Sequence, residues 1–433
     1  MSRIGYWPSA WPVECGDNHR PKAIAAGGLN LQPTDRLVAT TRQTGRWPVM
    51  FVQRDPGELY LHGTTSVNDA SPAGWIERVD PVSLQPLTGS GDLPSGGHEW
   101  CGSMAVHRNG DLYTVNGSYL HRLDPQCWVV AETALPVDHA HNGLLILDDG
   151  SIVTKDIQLG DVASTLTVCD EDLQVLASIR LPEASMGRIA AMGEVIYVPG
   201  TTGIYRYRWN GSDLKQDLTW APSYRTAGQR GLAGDVAIDG GRVWLMDNGN
   251  IPTIERRFSQ TPTLRAEASY TEDAASRTPG WIEPIRAIGI SVEDPTDVIE
   301  LLPTEHPAGW VIAPPLVSGN IAVAWDTGNM GIAAFDISNG RTGEMLWFQP
   351  FRASMQPLLY RETNELVIND FRMLDDNETS DDLVVLDVRT GQMKARVPTG
   401  ATMLNGMFPC PGWDRDLYYC STGTVARVQA VSL

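Results

Sequence analysis

The sequence repeats one pattern of strands eight times, and this repeat limits the fold more than any other feature. Each copy opens with a glycine or proline, followed by an apolar run, a turn and a second apolar run. A period of roughly 40 to 50 residues with several strands in each copy is typical of β-propeller blades. We therefore predict an all-β, eight-bladed β-propeller whose blades are four-stranded antiparallel sheets. The residues that open the copies are Pro48, Gly102, Gly143, Gly187, Gly234, Pro314, Pro357 and Gly406.

The two ends of the chain are predicted to close the ring together. The last copy, which begins at Gly406, has room for only three strands before the chain stops. A strand-like segment, 36–41, precedes the first copy, and we expect it to supply the missing strand of the last blade. Closure removes sheet edges that would otherwise invite aggregation. Residues 1–433 are accordingly interpreted as a single domain.

One copy is longer than its neighbours. The interval between Gly234 and Pro314 is the longest between consecutive copies, and the excess follows Asp247. Long insertions in compact domains commonly serve as lids or binding loops. We predict that 248–304 is an insertion within the fifth blade that acts as a lid over the channel mouth. The alternative is a ninth, degenerate blade around 281–290.

Composition and charge exclude several partners and cofactors. The formal net charge is −19 at pH 7, whereas nucleic acids and anionic membranes attract positive patches. We expect no nucleic-acid partner, no membrane partner and, since phosphate-binding motifs are absent, no nucleotide cofactor. The six cysteines form no C-x-x-C pair, and no secretory signal is visible. These features predict a cytoplasmic protein with reduced thiols.

An antiparallel blade brings two sets of residues to one face of the ring. The first strand begins at that face and the second ends there, so both sets surround one channel mouth. A concave mouth of this kind is where a ligand is expected. The tryptophans near it can wall a pocket, although packing between blades is the plainer interpretation. The residues that we predict to bind a small-molecule substrate are Trp100, Asn142, Arg188, Asp235, Trp310, Asp326, Gln356, Asp370 and Asn405.

Three histidines near the starts of two neighbouring first strands are the strongest candidates for chemistry. His139 and His141 alternate along the chain, so on an extended strand both imidazoles would face the same way. We predict that these two residues and His98 are catalytic, with Asp156 and Asp247 orienting them or binding substrate. The same three histidines can either ligate one divalent metal ion or work as metal-free acid–base groups. The plainer interpretation is that the histidines are simply hydrogen-bonded and that the aspartates cap turns.

Two motifs late in the chain resemble those of the quinoprotein-type propeller superfamily. The turn Asp387-Val-Arg-Thr-Gly-Gln is similar to the family's D-x-x-T-G-x, and Thr342-Gly-Glu-Met-Leu-Trp347 resembles its T-G-x-x-x-W end. In the family, that tryptophan docks one blade onto the next. Quinoprotein dehydrogenases carry pyrroloquinoline quinone, a calcium ion and often a disulfide between adjacent cysteines. This chain has no adjacent cysteines, so the resemblance is taken to imply the architecture and not the cofactor.

Two further propeller groups offer analogies for the mouth. Lactonase-type propellers bind a divalent metal through Asn, Asp and Glu side chains, and Asn142, Asn405 and Asp235 would be the counterparts by position. Carotenoid-oxygenase-like propellers hold iron with four histidines from different blades, whereas only two blades clearly offer one here. Both analogies are made at the level of the fold alone.

The sequence favours an enzyme that acts on a small, neutral organic molecule at the mouth. Our first interpretation is hydrolysis or elimination, by histidine acid–base or metal-assisted chemistry. The cofactor is unknown, and one divalent metal ion is the candidate. The alternatives are a non-catalytic scaffold for protein interactions and a metal- or quinone-dependent oxidoreductase. A deep mouth with converging imidazoles would favour the enzyme, and a filled channel would favour the scaffold.

Overall fold

The chain forms a ring of eight antiparallel blades, as predicted. The computed structural model describes residues 4–65, 70–225, 233–248, 284–306, 309–374, 378–402 and 406–432. These residues contain strands, turns and irregular segments. Within these ranges, no helix is long and apolar enough to cross a membrane.

The strands follow the chain from blade to blade, with the first strand of each blade beside the channel and the fourth at the rim. Before the first blade lie Ala23–Ile24 (β1) and Asp35–Gln43 (β2). Blades one to four comprise Trp47–Gln53 (β3), Leu59–Thr64 (β4), Ala73–Val79 (β5) and Pro86–Gly89 (β6), with Leu93–Pro94 (β7) also paired to β5; Cys101–Val106 (β8), Leu112–Asn116 (β9), Tyr119–Leu123 (β10) and Val129–Ala134 (β11); His141–Ile146 (β12), Ile152–Asp156 (β13), Thr165–Cys169 (β14) and Val175–Arg180 (β15); and Ala190–Met192 (β16), Val195–Pro199 (β17), Ile204–Trp209 (β18) and Leu214–Gln216 (β19). Blades five to eight comprise Ala237–Asp239 (β20), Arg242–Asp247 (β21), Arg286–Ser291 (β22) and Val298–Leu301 (β23); Leu316–Ser318 (β24), Ile321–Asp326 (β25), Gly331–Asp336 (β26) and Glu344–Gln349 (β27); Leu358–Tyr360 (β28), Glu365–Met373 (β29), Thr379–Asp387 (β30) and Met393–Ala401 (β31); and Cys410–Pro411 (β32), Asp416–Ser421 (β33) and Thr424–Ser432 (β34).

Burial along each blade explains the near-continuous apolar runs of the sequence. The second strands are covered on both faces by neighbouring blades, and every residue of β9 and β13 is buried. The fourth strands alternate between partly buried and exposed positions, as in β11 and β15. Alternation is expected where one face of a strand packs on the core and the other meets water.

Closure occurs as the sequence predicts. β2 pairs antiparallel with β34 from Asp35 opposite Ser432 to Gln43 opposite Thr424, and so becomes the fourth strand of the last blade. The N-terminal and C-terminal segments therefore share one sheet, and the ring has no open seam between its first and last blades.

The segment before β2 holds the ring from inside, a role that the sequence did not indicate. Residues 4–31, which we call the N-terminal belt, hydrogen-bond to each blade in ring order. Several of these bonds fall where the first strands end, so the belt lies on the face opposite the mouth. The bonds are Gln53 N to Trp11 O, Val106 N to Pro12 O, Asn18 Nδ2 to Ile146 O, Ala191 N to Asn18 O, Ile238 N to His19 O, Lys22 Nζ to Pro315 O, Leu359 N to Lys22 O and Arg415 Nε to Leu29 O.

The predicted insertion, 248–304, contains two strands of the fifth blade itself. β22 and β23 lie within 248–304, yet they are the third and fourth strands of the fifth blade. The alternative of a ninth blade around 281–290 is therefore wrong, because β22 pairs with β21 of the fifth blade. The remainder of the predicted lid, 249–283, lies outside the described residues.

The tryptophan docking implied by the resemblance is present between blades six and seven. The Trp347 indole donates a hydrogen bond to the Val388 carbonyl at 2.9 Å. The ring also packs on Gly391, where an added Cβ would lie 2.6 Å from it. Gly391 adopts a φ of 70°, a conformation that residues with a Cβ rarely adopt. Glycine is thus required at this turn for its backbone shape and for its lack of a side chain.

We expect Gly391→Ala to destabilise the protein more than Gly340→Ala. Gly340 occupies the equivalent turn of blade six with the same φ of 70°, but an added Cβ there would meet nothing within 4 Å. In the control, the free energy of unfolding should fall only by the roughly 1–2 kcal/mol that a side chain costs at a positive φ. Gly391→Ala should lose about 1–3 kcal/mol more, because the added Cβ overpacks the Trp347 ring. Urea unfolding of both variants measures the difference, and equal losses would contradict the docking.

Candidate functional site

Residues from the starts of first strands meet at the centre of the channel, on the mouth side. Three predicted substrate residues, Arg188, Asp235 and Gln356, come together there from blades four, five and seven. Asp235 accepts hydrogen bonds from the Arg188 backbone N–H at 2.8 Å and from Gln356 Nε2 at 2.9 Å. Its second oxygen lies 3.7 Å from the Arg188 guanidinium. The repeat predicted this convergence, because it places all three residues just before a first strand.

The N-terminal belt adds two charges that the sequence analysis missed. Arg20 contacts the Glu14 carboxylate at 2.6 Å and the Asp235 carboxylate at 3.2 Å. Arg188 contacts Glu14 at 2.9 Å. Two guanidinium groups and two carboxylates thus form one closed ionic cluster, which we call the channel cluster, with Gln356 attached to it. All four charged side chains are buried, and their formal charges cancel.

Aromatic rings enclose the Arg188 guanidinium. It lies 5.5 Å from the centre of the Trp100 ring and 4.6 Å from that of Phe408, within the range of cation–π attraction. Trp100 also meets Trp47 edge to face, with ring centroids 5.8 Å apart, and donates to Asn142 Oδ1 at 3.1 Å. Two further predicted residues, Trp100 and Asn142, therefore adjoin the channel cluster.

An apolar group continues the mouth on the side of blades three to six. Met186 packs with the partly buried Ile157, Leu159, Trp310 and Ile312. Trp310, predicted as a pocket wall, is thus placed among apolar neighbours from other blades.

A buried lysine holds the loop that carries Arg188. Lys155 is fully buried and donates to the carbonyl of Ser185 at 2.8 Å and to that of Met186 at 3.4 Å. Burial lowers the pKa of its amine to about 7, because the charged form is poorly solvated there. Its contacts assign Lys155 the role of positioning this loop.

The three candidate histidines do not form one cluster. His98 Nε2 lies 3.0 Å from Asp138 Oδ1, and the rings of His98 and His139 are 5.6 Å apart. His141 is fully buried, and its Nδ1 lies 2.9 Å from the His139 carbonyl. His139 precedes β12 in an irregular segment, so the premise that both side chains alternate along a strand is wrong.

A metal site is not assembled from these histidines. Within the part of the chain that the structure describes, no three His, Cys, Asp or Glu side chains are grouped to hold a metal ion, and all three histidines lie within that part. The arrangement instead pairs His98 with an acid that sequence reasoning missed. Asp138 directly precedes His139, the residue analogous to His98 one blade later, and this proximity in the chain was the available signal. The hydrogen bond from His98 lowers the pKa of Asp138 below its ordinary value.

The ring of aspartates serves local structure. Asp156 accepts hydrogen bonds from Gln158 at 2.7 Å and from the Thr165 backbone N–H. It lies opposite His141 in β12 and β13, but the His141 ring bonds to the His139 carbonyl instead. The other three make comparable contacts: Asp247 with Arg225 and Arg286, Asp326 with Thr304 and Asn329, and Asp370 with Arg396 and the Arg352 backbone. Asp326 thus caps the turn that follows it, through the Asn329 backbone N–H, whereas Asp247 and Asp370 form ion pairs with arginines. Asn405 lies outside the described residues.

Comparison with solved structures supports the class that the strands define, an eight-bladed β-propeller. The quinohemoprotein alcohol dehydrogenase from Comamonas testosteroni matches with a TM-score of 0.62 and 10% identity, covering 96% of this chain and 80% of that chain. The C-terminal WD40 domain of Sif2 matches with a TM-score of 0.55 and 9% identity, covering 90% and 98%. The Pan2 WD40 domain of Neurospora crassa gives 0.50 and 8%, covering 92% and 96%. No family model matches the chain, and no curated protein matches it.

The residues at the mouth do not fit a quinone with calcium. Arg188, which lies beside the Trp100 and Phe408 rings, contacts the belt residue Glu14 at the channel centre, where both carboxylates of the channel cluster are engaged by guanidinium groups. Among the described side chains, no three His, Cys, Asp or Glu residues are grouped to hold a metal ion. The likeness to the dehydrogenase is therefore one of fold.

We predict that Arg20→Met lowers the free energy of unfolding by about 3–5 kcal/mol, because it leaves the Glu14 and Asp235 carboxylates without a buried partner. Arg46→Met is the matched control: Arg46 pairs with Asp92 at the surface, with both side chains largely exposed, and should lose less than about 1 kcal/mol. Urea denaturation measures both. Equal, small losses would show that the channel cluster is not formed.

Buried histidines make stability depend on pH. Burial lowers the pKa of His62, His121 and His141 to about 4, so between about pH 4 and 6.5 the unfolded chain binds protons that the folded chain does not. Above the pKa of histidine in the unfolded chain, these residues leave the free energy of unfolding at its full value. As the pH falls below that pKa, the free energy of unfolding decreases by roughly 3 kcal/mol for each histidine. Asp381 acts in the opposite direction, because burial raises its pKa to about 7.

We expect His62→Gln to reduce the slope of unfolding free energy against pH by up to about 1.4 kcal/mol per unit in this window. Glutamine can still donate to Asn116 Oδ1, which lies 2.9 Å from His62 Nε2. His306→Gln, at an exposed position, is the control. Urea unfolding at several pH values measures the slopes, and an unchanged slope in His62→Gln would contradict a neutral buried imidazole.

Proposed function

We propose that the protein is an enzyme that acts on a small, neutral organic molecule at the channel mouth by acid–base catalysis. The observation that carries the proposal is the His98–Asp138 pair with His139 beside it. His98 Nε2 and Asp138 Oδ1 are 3.0 Å apart, and the side chains are 26% and 83% exposed. An imidazole held in place by a carboxylate is a common arrangement for a general base.

The surroundings support a substrate site beside this pair. His98 is two residues before Trp100, and Asp138 is four residues before Asn142; Trp100 and Asn142 are hydrogen-bonded to each other. The pair therefore lies at the edge of the aromatic wall that adjoins the channel cluster. The belt covers the opposite face, so substrate and product would pass through the mouth alone.

The chemistry that follows is proton transfer. His98 would take a proton from water or from a substrate carbon or hydroxyl, and Asp138 would stabilise the resulting imidazolium. This supports hydrolysis or elimination. The metal-assisted version of the proposal is set aside because the three histidines do not converge.

We expect His98→Gln and Asp138→Asn to slow turnover by roughly 10²–10⁴-fold without unfolding the protein. Wild type and variants would be incubated with a small-molecule extract, and mass spectrometry would follow the compounds consumed. Asp92→Asn, at an exposed surface carboxylate, is the matched control and should behave as wild type. Identical profiles for wild type and His98→Gln would contradict the proposal.

A scaffold for protein interactions is the second candidate. Two observations favour it: the belt and the channel cluster lie within the channel, and large apolar side chains are exposed at the rim, among them Trp128 at 68%. A scaffold requires these rim residues and not the mouth. Loss of a partner on Trp128→Ser, with no effect of His98→Gln on any turnover, would favour the scaffold over the enzyme.

A further inference from the structure

Four buried polar atoms of the channel cluster lack a hydrogen bond among the described residues. Arg188 Nε still contacts the Glu14 carboxylate at 2.9 Å, which leaves three atoms without a partner: Gln356 Oε1, Glu14 Oε2 and Arg20 Nε. All three belong to one connected group. Gln356 Nε2 and Arg20 both contact Asp235, and Arg20 contacts the other oxygen of Glu14. A buried polar group left without a hydrogen bond costs about 1–3 kcal/mol. Three such atoms in one cluster indicate that another molecule completes it.

The hydrogen-bonding roles of these atoms are set by their neighbours. Gln356 Nε2 donates to the Asp235 carboxylate at 2.9 Å, so the free atom of that amide is its oxygen, an acceptor. Glu14 Oε2 is also an acceptor, and Arg20 Nε is a donor. The missing molecule therefore offers two donors and at least one acceptor.

The charge of the missing molecule follows from the cluster. Glu14 and Asp235 balance Arg20 and Arg188, and each guanidinium already contacts a carboxylate. The buried amines of Lys22 and Lys155 also interact with Asp235, but they donate to backbone carbonyls and burial lowers their pKa to about 8 and about 7. An added anion or cation would be buried without a counter-charge, which is costly. The molecule is therefore neutral.

The aromatic rings beside the channel cluster and the position of the belt limit the shape of the missing molecule and its route of entry. Trp100 and Phe408 flank Arg188 with flat faces, and Trp100 meets Trp47 edge to face. The Arg188 guanidinium occupies these faces, so a planar ligand would meet the rings at their edges, where aromatic side chains also bury large areas. The belt closes the opposite face, so entry is from the mouth.

We propose that the channel cluster binds a neutral carboxamide. Its NH₂ group supplies two donors, for Gln356 Oε1 and Glu14 Oε2, and its carbonyl accepts from Arg20 Nε. This deepens the proposed function by naming the substrate class, and it rests on that function only for the statement that the ligand is turned over.

Three probes of one size test the charge and the hydrogen-bonding pattern. Benzamide is a neutral carboxamide, benzoate is its anionic counterpart and benzamidine its cationic one. Isothermal titration calorimetry with the full chain should show benzamide binding at least roughly tenfold more tightly than either charged probe. No binding of benzamide, as expected if ordered water alone fills the cluster, would overturn the proposal. Equal or tighter binding of a charged probe would also overturn it.

Variants place the binding in the channel cluster. Gln356→Met removes the free acceptor and should weaken benzamide binding at least roughly tenfold. Gln349→Met is the matched control, because Gln349 donates to the Gly391 carbonyl at the blade junction, away from the channel. Unchanged benzamide affinity in Gln356→Met would show that benzamide does not bind in the channel cluster and would overturn the proposal. If this variant does not fold, the comparison of the three probes on the wild-type protein tests the proposal instead.

The same measurements separate this inference from the proposed function. His98→Gln should keep the benzamide affinity of wild type, because His98 does not contact the channel cluster in the hydrogen bonds described above. If His98→Gln leaves turnover unchanged while benzamide still binds, the acid–base proposal fails and the ligand class stands. If turnover depends on His98 but benzamide does not bind, the ligand class fails and the acid–base proposal stands.

Discussion

Hydrogen bonding between the N-terminal belt and all eight blades is the constraint on which the rest of the structure depends. A blade alone is a small, twisted sheet with two apolar faces, and its faces are buried only when both neighbours are in place. The pairing of β2 with β34 closes the ring at its rim, over Asp35 to Gln43. The belt ties the inner strands together from Trp11 to Leu29. The N-terminal region, belt and β2 together, thus closes the ring at its rim and ties it at the channel. The same region therefore fixes both the order of the blades and the width of the channel.

The belt also determines the chemistry of the channel. It carries Glu14 and Arg20 into contact with Arg188 and Asp235, which come from blades four and five. These contacts fix the Arg188 guanidinium between two aromatic rings. The neutral ionic cluster thus lies at the channel centre, and aromatic rings and the His98–Asp138 pair adjoin it on the side of the mouth. The belt lies on the opposite side.

The sequence predicted the architecture well because every blade has the same structural requirements, and these produce the repeat. Each blade needs a turn residue before its first strand, apolar strands and a polar turn before its fourth, and these requirements leave a visible period. The same logic brought Arg188, Asp235 and Gln356 to one place. The T-G-x-x-x-W resemblance predicted the docking of Trp347. The contact of that ring with Gly391 of the next blade shows why the motif ends in a tryptophan.

The parts that sequence reasoning missed have no period. The belt is irregular, so Trp11, Glu14 and Arg20 give no strand or helix pattern, although they are buried. The idea of a joint histidine site failed because His139 lies before β12 and not in it, which removes the alternation that would have aligned it with His141. Asp156 was expected to orient His141, but its carboxylate is engaged with Gln158 and Thr165. Such local competition for hydrogen bonds becomes visible only in three dimensions.

The most direct test of this account is hydrogen–deuterium exchange at the amides that donate into the belt. The amides of Ala191, Ile238 and Leu359 come from three different blades and bond to Asn18, His19 and Lys22. If the belt holds the ring, these amides open only with the whole protein and exchange as slowly as those of β9 and β13 in the core. Exchange as fast as that of exposed turns would show that the belt is not bound in the channel and would contradict the account.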